Sequence, residues 1–161
     1  MDIEKVFVIG AGQMGNGIAQ VSAQAGYDVV MSDIKEEFVQ KGMDTIGKSL
    51  DRLVKKGTMT EADKATVLGR ISTTTDNADA KDADLVIEAA PEILDLKKNI
   101  FKQLDEICRP DTILASNTSS LPIGEIATAT TKPERFIGIH FMNPVPVMKG
   151  VEIIPGRKTS T

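Results

Sequence analysis

The turn Gly10-Ala11-Gly12-Gln13-Met14-Gly15 limits the folds open to this chain more than any other segment, because of what flanks it. Ahead of it, Val6-Phe7-Val8-Ile9 is a short, β-branched apolar run, the composition of a strand buried within a parallel sheet. Behind it, residues 16–25 place Ile18, Val21 and Ala25 on one helical face. Three glycines between a strand and a helix have separate physical roles. Gly10 permits the tight turn, Gly12 leaves room for close approach to a pyrophosphate, and Gly15 lets the helix lie close to the strand. The helix start then presents unpaired N–H groups to phosphate, so the whole turn, Ala11, Gln13 and Met14 included, is the expected cofactor contact.

A second strand, Tyr27-Asp28-Val29-Val30-Met31-Ser32-Asp33, ends in a carboxylate about 20 residues beyond the glycines, where a ribose would offer its hydroxyls. Asp33 would oppose a 2′-phosphate, so NAD is favoured over NADP; Lys35 softens that preference without reversing it. The competing role for Asp33 is to cap the next helix.

The rest of the chain continues to alternate. Residues 36–56 carry Phe38, Met43, Ile46, Leu50, Leu53 and Val54 at helical spacing, although Gly42 and Gly47 inside the segment each cost about 1 kcal/mol relative to Ala. Gly57 is a plausible stop, and Thr60-Glu61-Ala62-Asp63 resembles an N-cap opening a short helix to Gly69. Residues 71–75, 84–90 and 112–116 read as strands, residues 77–83 as a polar connection, and residues 93–108 as a helix striped by Leu96, Ile100, Leu104 and Ile107. A short helix is expected over 123–130, then two strands at 136–141 and 151–154. A series of this kind predicts an α/β, doubly wound Rossmann-type sheet, mostly parallel, as one domain spanning residues 1–161, with its ligand across the carboxyl ends of the strands.

Bulk properties exclude other classes. With 26% charged and 41% apolar residues the chain has no disordered signature, and 161 residues suit one domain. Nineteen basic against twenty-three acidic side chains argue against nucleic acid as a partner. No apolar run has the length of a membrane span, the N-terminus enters a strand at once, and Cys108 is the single cysteine. The expectation is a cytoplasmic chain with no membrane partner and no metal ligands.

His140 is the only histidine and falls at the end of a strand, beside the rigid loop Asn143-Pro144-Val145-Pro146. A lone histidine on an apolar strand is commonly a satisfied core residue. Its position at the cofactor edge favours a general base, and Glu152 on the next strand is close enough in sequence to accept from Nδ1 and fix the tautomer. Ser116-Asn117-Thr118-Ser119-Ser120 either caps and turns the chain or places a hydroxyl and an amide beside that histidine. Glu92 and Lys97 are surface residues or cofactor contacts. Ser49, Arg52, Lys55 and Lys56 form a solvated face or a small cationic site for a phosphorylated tail.

Three segments together resemble the L-3-hydroxyacyl-CoA dehydrogenases: Val8 to Gly15, Ala115 to Leu121, and His140 to Lys149. The first is shared by many NAD enzymes; the second and third in this order are specific to the family, and the similarity runs through essentially the whole chain. It implies oxidation of the 3-hydroxyl of a short acyl-CoA with NAD, or the reverse reduction. Under it His140 is the catalytic base, Glu152 its paired acid, and Ser119 the serine contacting substrate and nicotinamide. Asn143 shares that pocket, Asp33, Glu92 and Lys97 contact the cofactor together with Asn117, Ser119 and Asn143, and Ser49, Arg52 and Lys56 hold the CoA portion. Members of the family continue into an all-helical C-terminal domain that covers the acyl group and forms a homodimer. The expectation is therefore a chain that lacks this domain and binds NAD, yet turns over poorly alone. A nucleotide-sensing module without chemistry, or a dehydrogenase for a hydroxy acid without CoA, remain the alternatives.

Overall fold

A computed structural model describes residues 2–161. Seven strands, β1 (Lys5–Ile9), β2 (Asp28–Ser32), β3 (Ile71–Thr74), β4 (Leu85–Glu88), β5 (Ile113–Ser116), β6 (Phe136–Phe141) and β7 (Val151–Pro155), form one sheet in the order β3-β2-β1-β4-β5-β6-β7. All neighbours are parallel except β6 and β7, which run antiparallel with His140 opposite Glu152. The helices are α1 (Gln13–Gln24), α2 (Glu36–Lys55), α3 (Glu61–Gly69), α4 (Leu94–Ile107) and α5 (Ile123–Ala127).

Alternation along β1 shows why the sheet must be covered on both sides. Val6 and Val8 join Ile18 of α1, Ile46 and Leu50 of α2 and Val67 of α3 in one core cluster. Phe7 and Ile9 point the other way, into a cluster with Phe101 and Leu104 of α4, Ile126 of α5 and Phe136. There Phe101 and Phe136 meet edge to face with centroids 4.7 Å apart. The strand order reverses its direction of growth between β1 and β4, which opens a crevice at their carboxyl ends.

Local chemistry sets several boundaries. Thr60 and Asp63 form a reciprocal capping box at the start of α3. Asp84 accepts the Glu4 and Lys5 N–H groups at 2.9 and 3.0 Å and an Arg109 N–H at 2.6 Å, tying the start of β1 to β4. Those backbone bonds, with the Arg109 bond and charge, lower the Asp84 carboxyl from the usual 3.8 to about 2. The interior glycine Gly42 has a packing role: a Cβ there would lie 2.9 Å from the Ala11 carbonyl oxygen and 3.0 Å from Met31 Cε, so α2 backs directly onto the glycine turn. Cys108 caps the end of α4, and burial pushes its thiol up to about 11, away from the thiolate form.

Two boundaries differ from the sequence reading. Residues 77–83, expected as a polar connection, contain the 3-10 helix Asn77–Asp82, started by Asp76 accepting the Ala78 N–H and anchored by fully buried Ala80. The helix expected over 123–130 stops at Ala127, where Thr128 and Thr130 return their hydroxyls to the carbonyls of Glu125 and Ala127. No helix among the described residues is long and apolar enough to cross a membrane.

Candidate functional site

Gly10 has φ +106°, and a Cβ there would sit 2.7 Å from the Ala89 carbonyl oxygen, so only glycine turns the chain here. Its N–H donates to the Ser32 carbonyl at 2.8 Å, and the Ala11 N–H donates to Asp33 Oδ2 at 2.9 Å. The end of β2 thus holds the turn in place. Gly15 packs so tightly that a Cβ would fall 1.8 Å from the Gly10 carbonyl oxygen, whereas at Gly12 it would meet nothing within 4 Å. That open space is on the crevice side. The first turn of α1 carries no acid and no side-chain cap, which leaves its N–H groups to the crevice.

A cleft of about 970 Å³ starts there, lined by Gly10, Gly12, Gln13, Met14, Asp33 and Phe38, and by the 3-10 helix and α4 on its far side. Asp33 Oδ1 also accepts the Ile34 N–H at 2.7 Å, and each carboxylate oxygen retains a second lone pair for a ribose hydroxyl. Lys35 Nζ stands 5.6 Å from the Phe38 ring centroid, in cation–π range.

The cleft shares Met14, Ala89, Ala90 and Glu92 with a smaller recess of about 250 Å³, where Asn117, Ser119, His140 and Asn143 meet. Each reaches it for a local reason. Asn117 follows β5; its N–H donates to the Glu88 carbonyl and its Oδ1 accepts the Phe141 N–H at 2.8 Å, joining β5 to β6. Val145 is buried against Gly17, seating the 143–146 loop on α1, and Asn143 Oδ1 accepts from Gln13 Nε2 at 3.1 Å. His140 is partly buried, and its Nδ1 is 3.8 Å from Glu152 Oε1, opposed in register but beyond hydrogen-bond reach. Glu152 itself is 60% exposed and lies outside the recess.

One wall of the recess belongs to an ionic cluster, buried at Glu88 and Lys97, of which the sequence marks only Glu92 and Lys97. Lys97, 1% exposed, spends its three N–H groups on Glu88 Oε2 (2.5 Å), Glu92 Oε1 (3.0 Å) and the Ala90 carbonyl (3.0 Å). Glu88, fully buried, also accepts from Ser116 Oγ and the Ala90 N–H, both at 2.6 Å. Glu92 accepts from Thr118 Oγ1, Ser120 Oγ and the Ser119 N–H. Burial raises the Glu92 carboxyl, but the Thr118 and Lys97 hydrogen bonds, the Lys97 charge and the Ser120 bond outweigh it and leave the group below its usual range. Glu88 carried a signal in the sequence: it is an acid inside the apolar run Leu85-Val86-Ile87-Glu88-Ala89-Ala90.

Ser49, Arg52 and Lys56 share one face at the end of α2 and line neither cavity. Arg52 and Lys56 are exposed and, among the described residues, in no ion pair.

A parallel sheet with a glycine turn, an uncapped helix start and an acid at the next strand end defines a dinucleotide-binding α/β domain, and these residues fit such a cofactor. The family model for the 3-hydroxyacyl-CoA dehydrogenase NAD-binding domain matches residues 5–161, and the chain belongs to that family. It is 57% identical over 156 residues to a probable 3-hydroxybutyryl-CoA dehydrogenase of Deinococcus radiodurans, covering 97% of this chain and 56% of that protein. The crystal structure of (S)-3-hydroxybutyryl-CoA dehydrogenase from Ralstonia eutropha superposes with a TM-score of 0.97 at 54% identity, over 99% of this chain and 56% of that one. A Mycobacterium tuberculosis structure, FadB2, gives 0.92 at 47% identity, over 95% and 54% of the two chains. The chain thus spans about half the length of these relatives.

Proposed function

We propose that this chain is the cofactor-binding half of a short-chain L-3-hydroxyacyl-CoA dehydrogenase that interconverts 3-hydroxybutyryl-CoA and acetoacetyl-CoA. The supporting observation is the meeting of His140, Asn117, Ser119 and Asn143 in one recess that opens from the cleft beginning at Asp33. NAD, rather than NADP, fits the carboxylate at the end of β2, which repels a 2′-phosphate. When bound, NAD would take the hydride from the carbon bearing the substrate hydroxyl.

The chain's own residues handle the proton and the orientation. His140 Nε2 accepts the hydroxyl proton, or returns it to the keto oxygen in the reverse direction. Glu152, 3.8 Å from Nδ1, stabilises the imidazolium by its charge and closes to a hydrogen bond as the ring is pinned by substrate. Ser119 is exposed and offers its hydroxyl to the substrate oxygen, while Asn117, its carbonyl committed to Phe141, keeps an NH₂ group for the ligand. Arg52 and Lys56, with Ser49, receive the phosphorylated CoA tail. Acyl cover and a homodimer interface belong, on this reading, to the helical remainder of the protein, and its compartment is the cytoplasm.

Titrating the chain with NADH by fluorescence, with and without acetoacetyl-CoA, tests the reading. NADH should bind while acetoacetyl-CoA reduction by these 161 residues alone stays slow. Failure to bind NADH overturns the proposal; robust turnover overturns the claim that the remainder is required. In the full-length protein His140→Ala should lose most of the rate with NADH affinity intact. Arg52→Ala with Lys56→Ala should raise KM for acyl-CoA; an unchanged KM removes the CoA assignment.

A further inference from the structure

The ionic cluster on one wall of the recess is unbalanced. Two carboxylates, Glu88 and Glu92, converge on one ammonium, Lys97, and their remaining partners are neutral: hydroxyls of Ser116, Thr118 and Ser120, and backbone N–H groups of Ala90 and Ser119. Among the described residues no second cation pairs with either carboxylate. By formal charge the cluster therefore holds one more anion than cation. Solvent and salt screen its inner pair weakly, because Glu88 is fully buried and Lys97 is 1% exposed, while Glu92, 40% exposed, is its solvated end. Glu92 and Lys97 themselves line the recess that His140 enters.

The nicotinamide ring is cationic when oxidised and neutral when reduced. We propose that the Glu88–Lys97–Glu92 cluster, two carboxylates on one ammonium, sets a net negative charge against the recess and so biases the site toward the oxidised form of the nucleotide. This rests on the recess being the nicotinamide end, as argued above. The role of Glu88 is electrostatic and is exerted through Lys97: paired with Glu92 alone, the ammonium would leave the cluster neutral. A purely architectural role, holding the 118–120 turn through Glu92, would change both nucleotide affinities by one factor and leave their ratio alone.

The test is the ratio of Kd for NADH to Kd for NAD, by NADH fluorescence and by displacement with NAD, in the parent chain and two variants. Glu88→Gln is isosteric: the amide oxygen can take the Lys97 and Ala90 donors while the NH₂ donates to Ser116 Oγ. Glu92→Gln removes the other charge at a side chain 40% exposed, so it decides the matter if the buried variant does not fold. Each should lower the preference for NAD roughly tenfold, the scale of one unit charge lost several ångströms away in a partly solvated site. Ratios within twofold of the parent in the folded variants overturn the proposal. If the parent binds neither nucleotide, the functional reading itself falls, which is a separate and recognisable result.

Discussion

Gly12 and Gly15 lie in one turn yet should fail in different ways when each gains a methyl group. At Gly15 the added Cβ would stand 1.8 Å from the Gly10 carbonyl oxygen and 2.5 Å from its carbon, both backbone atoms that no rotamer change can move aside. To regain even a tight 3.0 Å contact, α1 must retreat by about 1.2 Å. Overpacking of this kind costs about 1–3 kcal/mol, or roughly 2–12 °C in Tm for a domain of this size. The helix start retreats from the crevice as well, so binding suffers along with stability. Gly12 has φ −70° and open space around its missing side chain. Gly12→Ala should therefore fold with its Tm unchanged, while the methyl group holds a pyrophosphate off the backbone. Losing one charge-assisted N–H contact is worth about 1.5–3 kcal/mol, roughly a 10- to 150-fold rise in Kd. Thermal unfolding and NADH fluorescence on the two variants check this. The reasoning fails if Gly12→Ala binds NADH as the parent does, or if Gly15→Ala keeps both its Tm and its affinity.

Three further outcomes follow from the same structure. Asp84→Asn should flatten the acid limb of stability: a carboxyl lowered to about 2 when folded contributes fully above its unfolded value near 3.8 and loses that contribution as pH falls toward 2, so denaturation curves from pH 5 to 2 should lose that component. If Asp33 holds the ribose as proposed, Asp33→Ala should weaken NADH binding and narrow any gap to NADPH, both read by fluorescence titration, and it also frees the Ala11 N–H. Gly47→Ala should stabilise α2 by up to about 1 kcal/mol, since a Cβ there meets nothing within 4 Å, while Gly42→Ala should destabilise it through the Ala11 carbonyl; urea midpoints distinguish them.

The parts of the fold legible in the sequence are those whose cause is local. The glycine turn announces itself because three backbone requirements fall within six residues, and strands such as Val6–Ile9 are read from an unbroken apolar run. The 3-10 helix at Asn77–Asp82 escaped because only Ala80 is fully buried, so no periodicity marks it. Glu88 escaped for a different reason. Its meaning depends on Lys97 and Ser116, nine and twenty-eight positions away, and only the pairing of β4 with β5 and the docking of α4 bring them together. Resemblance marks Lys97 as a cofactor contact; the structure adds that each of its N–H groups is already engaged within the protein. His140 and Glu152 were placed on adjacent strands by sequence proximity, and their direct opposition comes from the antiparallel register that the sequence does not state.

Gly42 joins the glycine turn mechanically to the far end of α2. With no side chain of its own, Gly42 brings the backbone of α2 against the Ala11 carbonyl, beside Met31 Cε and Ala11 Cβ, and the same helix carries Arg52 about three turns further on and ends at Lys56. A shift of the turn toward the crevice would therefore bear on α2 and on the cationic end it carries. On the proposed reading, cofactor and phosphorylated tail would be held from one stiff element.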